Sequence, residues 1–280
     1  MSVRRPALRY HGGKWMLAPW IISHFPPHRI YVEPFGGGGS VLLRKPRSYA
    51  EVYNDLDGEV VSFFRVMQSR GQELIDLLRL TPFARAEFER AYEPSDEPVE
   101  RARRLLIRSF MGFGSDGCNE ASPTGFRANS NRSGTTPAHD WVNLPDAHER
   151  LIGRLRGIVI ENRDAVACMQ QHDGPQTLHY VDPPYVHSTR ESGKRYAHEM
   201  TDDAHQELLS ALGQLQGAVI LSGYRCDLYD DALAGWRRID RKAHADGARE
   251  RTESLWLNRA ADVRDLFSTA TFKNKKGVYC

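Results

Sequence analysis

The chain has 280 residues, 40% hydrophobic and 26% charged, with a formal net charge of +2, so any basic surface must come from local clustering. That length suits one large domain, or a core domain carrying a sizeable insertion. No apolar run approaches the roughly 20 residues of a membrane span, and Met1-Ser2-Val3-Arg4-Arg5-Pro6 lacks the apolar stretch of a signal peptide; a cytoplasmic protein with no membrane partner is expected.

The first informative stretch is Leu8-Arg9-Tyr10-His11-Gly12-Gly13-Lys14, where paired glycines let backbone approach a ligand. It is not a Walker A loop, because Leu8 stands where Gly is required and Trp15 follows the lysine. Further on, Pro26 and Pro27 break any helix that would align His24 with His28 as metal ligands. Cys118, Cys168, Cys226 and Cys280 form no Cys-x-x-Cys pair, so free thiols and no metal are expected.

Residues 29–34 read as a strand running into Phe35-Gly36-Gly37-Gly38-Gly39-Ser40 and a helix from Val41, an arrangement typical of nucleotide-type cofactor sites. The dinucleotide fingerprint fails, since its third glycine would fall on Val41 or Leu42. A second strand, 49–53, ends in Asn54-Asp55-Leu56-Asp57. Asp55 stands where such folds place a carboxylate on ribose hydroxyls, and Asp57 suits a helix N-cap.

Residues 58–110 carry helical periodicity, with Arg104 and Arg108 on a shared face, open to phosphate contact or to plain solvation. The segment 112–137 is rich in Gly, Ser, Asn and Thr and holds Phe113, Phe126, Arg127 and Arg132. Loops that long are usually functional or disordered, and this composition suits contacts to phosphates and base edges.

From Gly157 the α/β pattern resumes, with a strand over 158–161, Asp164 before a helix through Met169, and a buried strand over 177–181. That strand ends in Asp182-Pro183-Pro184-Tyr185. Two prolines end the ladder and fix the backbone, holding a carboxylate, backbone carbonyls and an aromatic face at a strand's carboxyl end, where open α/β sheets bind ligands. Taken alone, the tetrapeptide is equally compatible with a rigid turn. Residues 186–197 form a basic loop with Arg190 and Lys194. A helix (203–214), a strand (218–221) and a terminal hairpin (236–242 with 252–258) complete the pattern, and the tail Lys273-Asn274-Lys275-Lys276 is a solvated cluster.

With these motifs in this order, the sequence resembles the Dam-like class of DNA adenine methyltransferases over nearly its whole length. The resemblance rests on Tyr10 to Lys14, Val32-Glu33-Pro34-Phe35 with its glycines, Asn54-Asp55, Asp182 to Tyr185, and Glu253-Ser254-Leu255-Trp256. It implies an α/β fold: a Rossmann-like class I methyltransferase sheet from residues 1–57 and 157–280, with an inserted, mainly helical target-recognition domain at 58–156 whose loop 112–137 contacts DNA. It also implies S-adenosylmethionine as methyl donor, S-adenosylhomocysteine as product, and no metal. The cofactor-binding residues implied are Tyr10, Lys14, Glu33, Pro34, Phe35, Gly37, Asp55, Asp164 and Asp182. Four consecutive glycines exceed the usual family pattern, so the position touching the methionine moiety stays open among 36–39.

The activity implied is methylation of the exocyclic 6-amino group of an adenine flipped out of double-stranded DNA, with Asp182, Pro183, Pro184 and Tyr185 catalytic. Asp182 and the Pro183 carbonyl would accept from the amine and Tyr185 would stack on the base. Arg104, Arg108, Arg127, Arg132, Arg190 and Lys194 are the expected DNA contacts. A monomer and a homodimer on a palindromic site are both compatible, and no obligate protein partner is implied. An RNA methyltransferase, a protein-glutamine methyltransferase and a silent DNA-binding module are the alternatives, disfavoured by the large insertion, by Asp at 182, and by the intact motif respectively.

Overall fold

In a computed structural model, residues 3–114, 116–118, 123–129, 134–189, 198–244 and 250–262 are described. A short helix α1 (Ala18–Ile22) precedes β1 (Ile30–Glu33), α2 (Ser40–Arg44) and β2 (Ala50–Asn54). Six helices follow: α3 (Gly58–Ser69), α4 (Gly71–Leu80), α5 (Arg85–Arg90), α6 (Pro98–Met111), α7 (Pro137–Val142) and α8 (Leu144–Leu155). The chain then alternates through β3 (Ile158–Glu161), α9 (Ala165–His172), β4 (Thr177–Val181), α10 (Asp202–Leu212), β5 (Ala218–Gly223) and α11 (Asp227–Ala232), closing with β6 (Arg237–His244) and β7 (Glu250–Leu257).

The strands form one seven-stranded sheet in the order β3-β2-β1-β4-β5-β7-β6. Pairing is parallel from β3 through β5, and β7 runs antiparallel to both β5 and β6. This is the mixed sheet expected of a class I methyltransferase, with the expected terminal hairpin at its edge. The chain moves outward from β1 to β3 and then returns to lay β4 on the other side of β1. Strand order therefore reverses between β1 and β4, which opens a crevice at their carboxyl ends. Glu33 ends β1 and Asp182 follows β4, so both motifs meet there.

Strand side chains alternate between two apolar layers, as a period of two requires. Tyr31, Tyr53, Leu178, Tyr180 and Ile220 face the layer that contains α3. Val181, Val219, Leu221 and Trp256 face Met169 of α9, Leu208 and Leu212 of α10, and Tyr229 of α11. Every residue of β4 and β5 is buried, which explains the apolar run at the start of β5, while the polar Thr177 and His179 of β4 are buried with partners, Thr177 donating to the His172 carbonyl and His179 beside Asp173.

The described residues of the helical segment 58–155 share the apolar cluster of the sheet. Leu74, Leu105, Leu106 and Leu151 belong to the same apolar cluster as Tyr31 and Tyr53 of the sheet. Helix α3, capped by Asp57 as expected, lies directly on the sheet: the Phe64 ring sits 4.5 Å from that of Tyr53, and Gln68 donates to the carbonyls of Leu155 and Ile158. The crossover from β2 to β3 must cover the sheet face, and α3 does so. In chain order the helices from Gly58 to Leu155 lie between β2 and β3, and the apolar core runs on from the sheet into them.

A buried ion cluster pins the end of this segment to the sheet. Arg154 of α8 donates to both Glu51 oxygens at 2.6 and 2.9 Å and to the Leu42 carbonyl, while Lys45 donates to Glu51 at 2.6 Å. Removing one member strands charge in the interior. Arg154→Ala should therefore lower unfolding free energy by about 3 kcal/mol, seen in urea titration as a lower midpoint at unchanged slope.

Candidate active site

The glycine turn after β1 is built by contacts that leave no room for side chains. A Cβ on Gly36 would lie 2.1 Å from the Tyr53 ring, and one on Gly37 would lie 2.8 Å from the Tyr10 ring. Gly37 and Gly39 also have φ of 46° and 63°, a region that favours glycine. Tyr53 donates its hydroxyl to the Gly37 carbonyl at 2.7 Å, and Asn54 donates to the Pro34 carbonyl at 2.8 Å. Asp55 accepts from Gly37 N–H at 2.7 Å and from Asp57 N–H at 2.8 Å. Its carboxylate therefore ties the end of β2 to the glycine turn, a job that its spacing alone did not reveal.

These groups line a cavity of about 320 Å³ at the β1/β4 crevice. Tyr10, Lys14, Glu33, Pro34, Phe35, Gly37, Asp55, Asp164, Asp182, Pro183 and Pro184 all border it, so the structure brings together every cofactor position expected from the sequence. Asp164 does so as the N-cap of α9, accepting from Ala167 N–H at 2.8 Å. Among the described residues the lining holds one lysine, Lys14, with the carboxyl groups of Glu33, Asp55, Asp57, Asp164, Asp182, Glu199 and Glu207, and Phe35, Val166 and Met200 supply apolar walls. Such a lining suits an elongated ligand with cationic groups at one part and a flat apolar ring at another.

Lys14 is buried and makes the densest contacts of the site. Its ammonium donates to Asp182 Oδ1 at 2.8 Å, to the Tyr185 hydroxyl at 2.6 Å and to the Gly12 carbonyl at 3.2 Å. Glu253 of β7 lies 3.7 Å from it. Burial pushes the Asp182 carboxyl up to about 6, opposed by Lys14 and reinforced by the Glu253 charge. Burial likewise pushes Glu33 up to about 8, opposed by the Tyr31 hydroxyl that it accepts at 2.6 Å. Asp55 is also raised by burial, against its two backbone N–H partners.

Tyr185 differs from expectation. Read from the sequence, it offers a face for stacking on a base; in the structure the residue is 9% exposed, with its ring stacked on Tyr224 at 4.2 Å and its hydroxyl held by Lys14 and Glu253. Pro183 and Pro184 turn the chain so that Tyr185 points back under the lysine. Sequence reading assigned no role to Tyr224, Ser222 or Glu253. Their signal was polar residues at the carboxyl end of an apolar strand, β5, and an acidic residue directly before the apolar half of β7.

The expected DNA contacts fare unevenly. Arg108 is 1% exposed and donates to the Ala91 carbonyl at 2.6 Å; Arg104 donates to Glu100 and to the Glu93 carbonyl. Arg108 is thus enclosed by the chain, which does not suit the phosphate contact expected of it, whereas Arg104 makes its contacts with residues 93–94 at the surface. Arg127 is half-buried, follows a bridge between Gly112 and Phe126, and donates to the Phe110 carbonyl at 3.2 Å. Phe126 packs on Phe83 and Phe88, whereas Phe113 is 60% exposed. Arg132, Arg190 and Lys194 lie outside the described residues. Among the described residues no group of three or more His, Cys, Asp or Glu side chains is placed to hold a metal ion, and no helix is long and apolar enough to cross a membrane.

Comparison with known families bears on this geometry. The sequence profile of the D12 class N6 adenine-specific DNA methyltransferases matches residues 10–245. The chain belongs to that family. Within it, the chain is 27% identical over 215 residues to the type II methyltransferase M1.LlaDCHI of Lactococcus lactis subsp. cremoris, covering 70% of this chain and 71% of that protein. It is 28% identical over 120 residues to the DNA adenine methylase of Escherichia coli strain K12, covering 40% and 43% of the two chains. It is 30% identical over 74 residues to the DNA N-6-adenine-methyltransferase of Escherichia phage P1, covering 26% of this chain and 10% of that one. The family profile takes in both the cavity and the helical segment, so this adenine-specific methyltransferase carries its whole crevice within the matched residues.

The raised Glu33 carboxyl gives a stability test with a definite sign. The unfolded chain ionises Glu33 near its ordinary value, while the folded chain holds the proton to about 8. Its contribution to stability is therefore fully present below the ordinary carboxyl range and is lost as pH rises through 8. Glu33→Gln, which cannot ionise, should gain in Tm relative to wild type as pH is raised from 5 to 8; a difference constant with pH would count against it.

Proposed function

We propose that the chain transfers a methyl group from S-adenosylmethionine to the exocyclic 6-amino group of an adenine flipped out of double-stranded DNA. The observation that carries this is the meeting of the Asp182 carboxylate and the Pro183 backbone, at the point where strand order reverses, with an acidic, partly apolar cavity. The donor set fits S-adenosylmethionine: Asp55 and Asp57 would accept from hydroxyls of its ribose, Asp164 and Phe35 would hold its adenine, and the cavity's carboxyl groups would attract its cationic part. When bound, that molecule supplies an electrophilic methyl on a sulfonium.

The rest is done by this chain's own groups. An adenine amine is a poor nucleophile because its lone pair is delocalised into the ring. Donating its two hydrogens to the Asp182 carboxylate and the Pro183 carbonyl favours a pyramidal nitrogen whose lone pair is available. Lys14, 2.8 Å from Asp182 Oδ1, fixes the carboxylate's orientation in advance. Asp182, its affinity for protons raised to about 6, is also the nearest base for the proton that the amine must shed after transfer. Extracting the base costs a few kcal/mol, offset by contacts in the pocket and along the backbone. Tyr185 supports this arrangement from below through its hydroxyl bonds to Lys14 and Glu253.

Asp182→Ala should lower methyl transfer to duplex DNA by about a thousandfold or more while leaving binding of duplex DNA in place. In wild type the rate should fall as pH drops below about 6, as Asp182 takes up its proton. A fully active Asp182→Ala enzyme in a radiolabelled methyl-transfer assay would sink the proposal.

DNA contact by the loop containing Arg127 is part of the same proposal. Replacing Arg127 by Ala should reduce the slope of log K against log salt by about one, whereas Arg108→Ala should lower Tm and leave that slope unchanged. Equal slopes for Arg127→Ala and wild type would remove Arg127 from the interface.

A further inference from the structure

Glu253 sits on β7 with 2% of its surface exposed. Its Oε1 accepts from the Ser222 hydroxyl of β5 at 2.8 Å, and the Tyr185 hydroxyl lies 3.2 Å from Oε2 and 3.3 Å from Oε1. The Lys14 ammonium, already 2.8 Å from Asp182, is 3.7 Å from Glu253. One buried ammonium therefore faces two carboxylates, Glu253 buried and Asp182 partly open to the cavity. For stability alone this is a poor arrangement, because a single Lys14–Asp182 pair would neutralise the lysine and the second carboxylate adds a desolvation cost without a full partner. An interior with excess negative charge beside a reacting centre is, however, prepared for positive charge that develops during reaction.

We infer that Glu253 is a positioning residue for methyl transfer: by sharing Lys14 and Tyr185 with Asp182, it keeps the Asp182 carboxylate a strong acceptor for the target amine. The inference rests on the methyl transfer proposed above. Without Glu253, the Lys14 ammonium would be drawn wholly to Asp182 and would compete with the amine for its oxygens. With Glu253 present, the lysine's charge is divided and Tyr185 is oriented to hold it. The groups that bear on Asp182 are Lys14 from the N-terminal loop, Glu33 from β1, Tyr180 from β4, Glu253 from β7 and Tyr229 from α11. Ser222 from β5 and Tyr185 bear on Glu253. Of the carboxyl groups among these, Glu253 is the one that shares the lysine.

The test is Glu253→Gln, which keeps the shape and the acceptor for Ser222 while removing the charge. On genomic DNA lacking N6-methyladenine, with S-adenosylmethionine saturating, the single-turnover rate at pH 8 should fall about tenfold, the equivalent of one unit in proton affinity. The KM for S-adenosylmethionine should hold. The acid limb of the rate profile should move to lower pH, because the like charge that raises Asp182 is gone. Thermal stabilisation by S-adenosylmethionine checks that the variant is folded; should it not fold, Glu253→Met, neutral and of similar volume, carries the same test. An unchanged rate, or a lower rate with the acid limb where wild type has it, overturns the inference. Absence of adenine methylation by the wild-type chain would overturn the function itself and this inference with it.

Discussion

The site depends on one buried ammonium. Among the described residues Lys14 is the one lysine lining the crevice, and it touches a carboxylate from the end of β4, a hydroxyl from the turn beyond it, and a carbonyl of its own loop. Its contacts draw together an N-terminal segment and residues more than 160 positions later. Burying a charge costs several kcal/mol unless its partners are well placed, so this cluster forms only when the sheet is assembled in register. The β1–β4 and β4–β5 pairings supply that register, and β7 brings the second carboxylate alongside.

Much of the fold was legible because its signals were local. The alternation from 29 to 57 and from 157 to 224 gave the strands and helices of the sheet to within a few residues, and the proline pair marked where β4 stops. The crevice was legible for a different reason. Glu33 and Asp182 each end a strand, and a doubly wound order puts those ends side by side. Asp57 was readable as a helix cap because capping involves only its own neighbours.

What stayed hidden was decided across long separations. Asp55 lies where a ribose contact is expected, but its oxygens are also required by the backbone of Gly37, which no local pattern announces. Arg104 and Arg108 share a helix face, and periodicity reveals that much; it does not say whether that face meets solvent or the chain at 91–94. Tyr185 was expected to present its ring because the turn ends there. The direction it takes is set by Tyr224, just past the end of β5, and by Glu253 on β7, which the sequence could align but not orient.

The continuity of the core between the sheet and helices α3 to α8 has a consequence for how such enzymes can change their targets. Leu105 and Leu74 share one apolar cluster with Tyr31 and Tyr53, and Arg154 is clamped on Glu51. The helical segment is therefore no cassette: exchanging it wholesale would tear the interior that shapes the glycine turn. Beyond α6 the constraint is uneven: Phe113 stands exposed and can vary without disturbing that interior, whereas Cys118 is buried and Phe126 packs on Phe83 and Phe88.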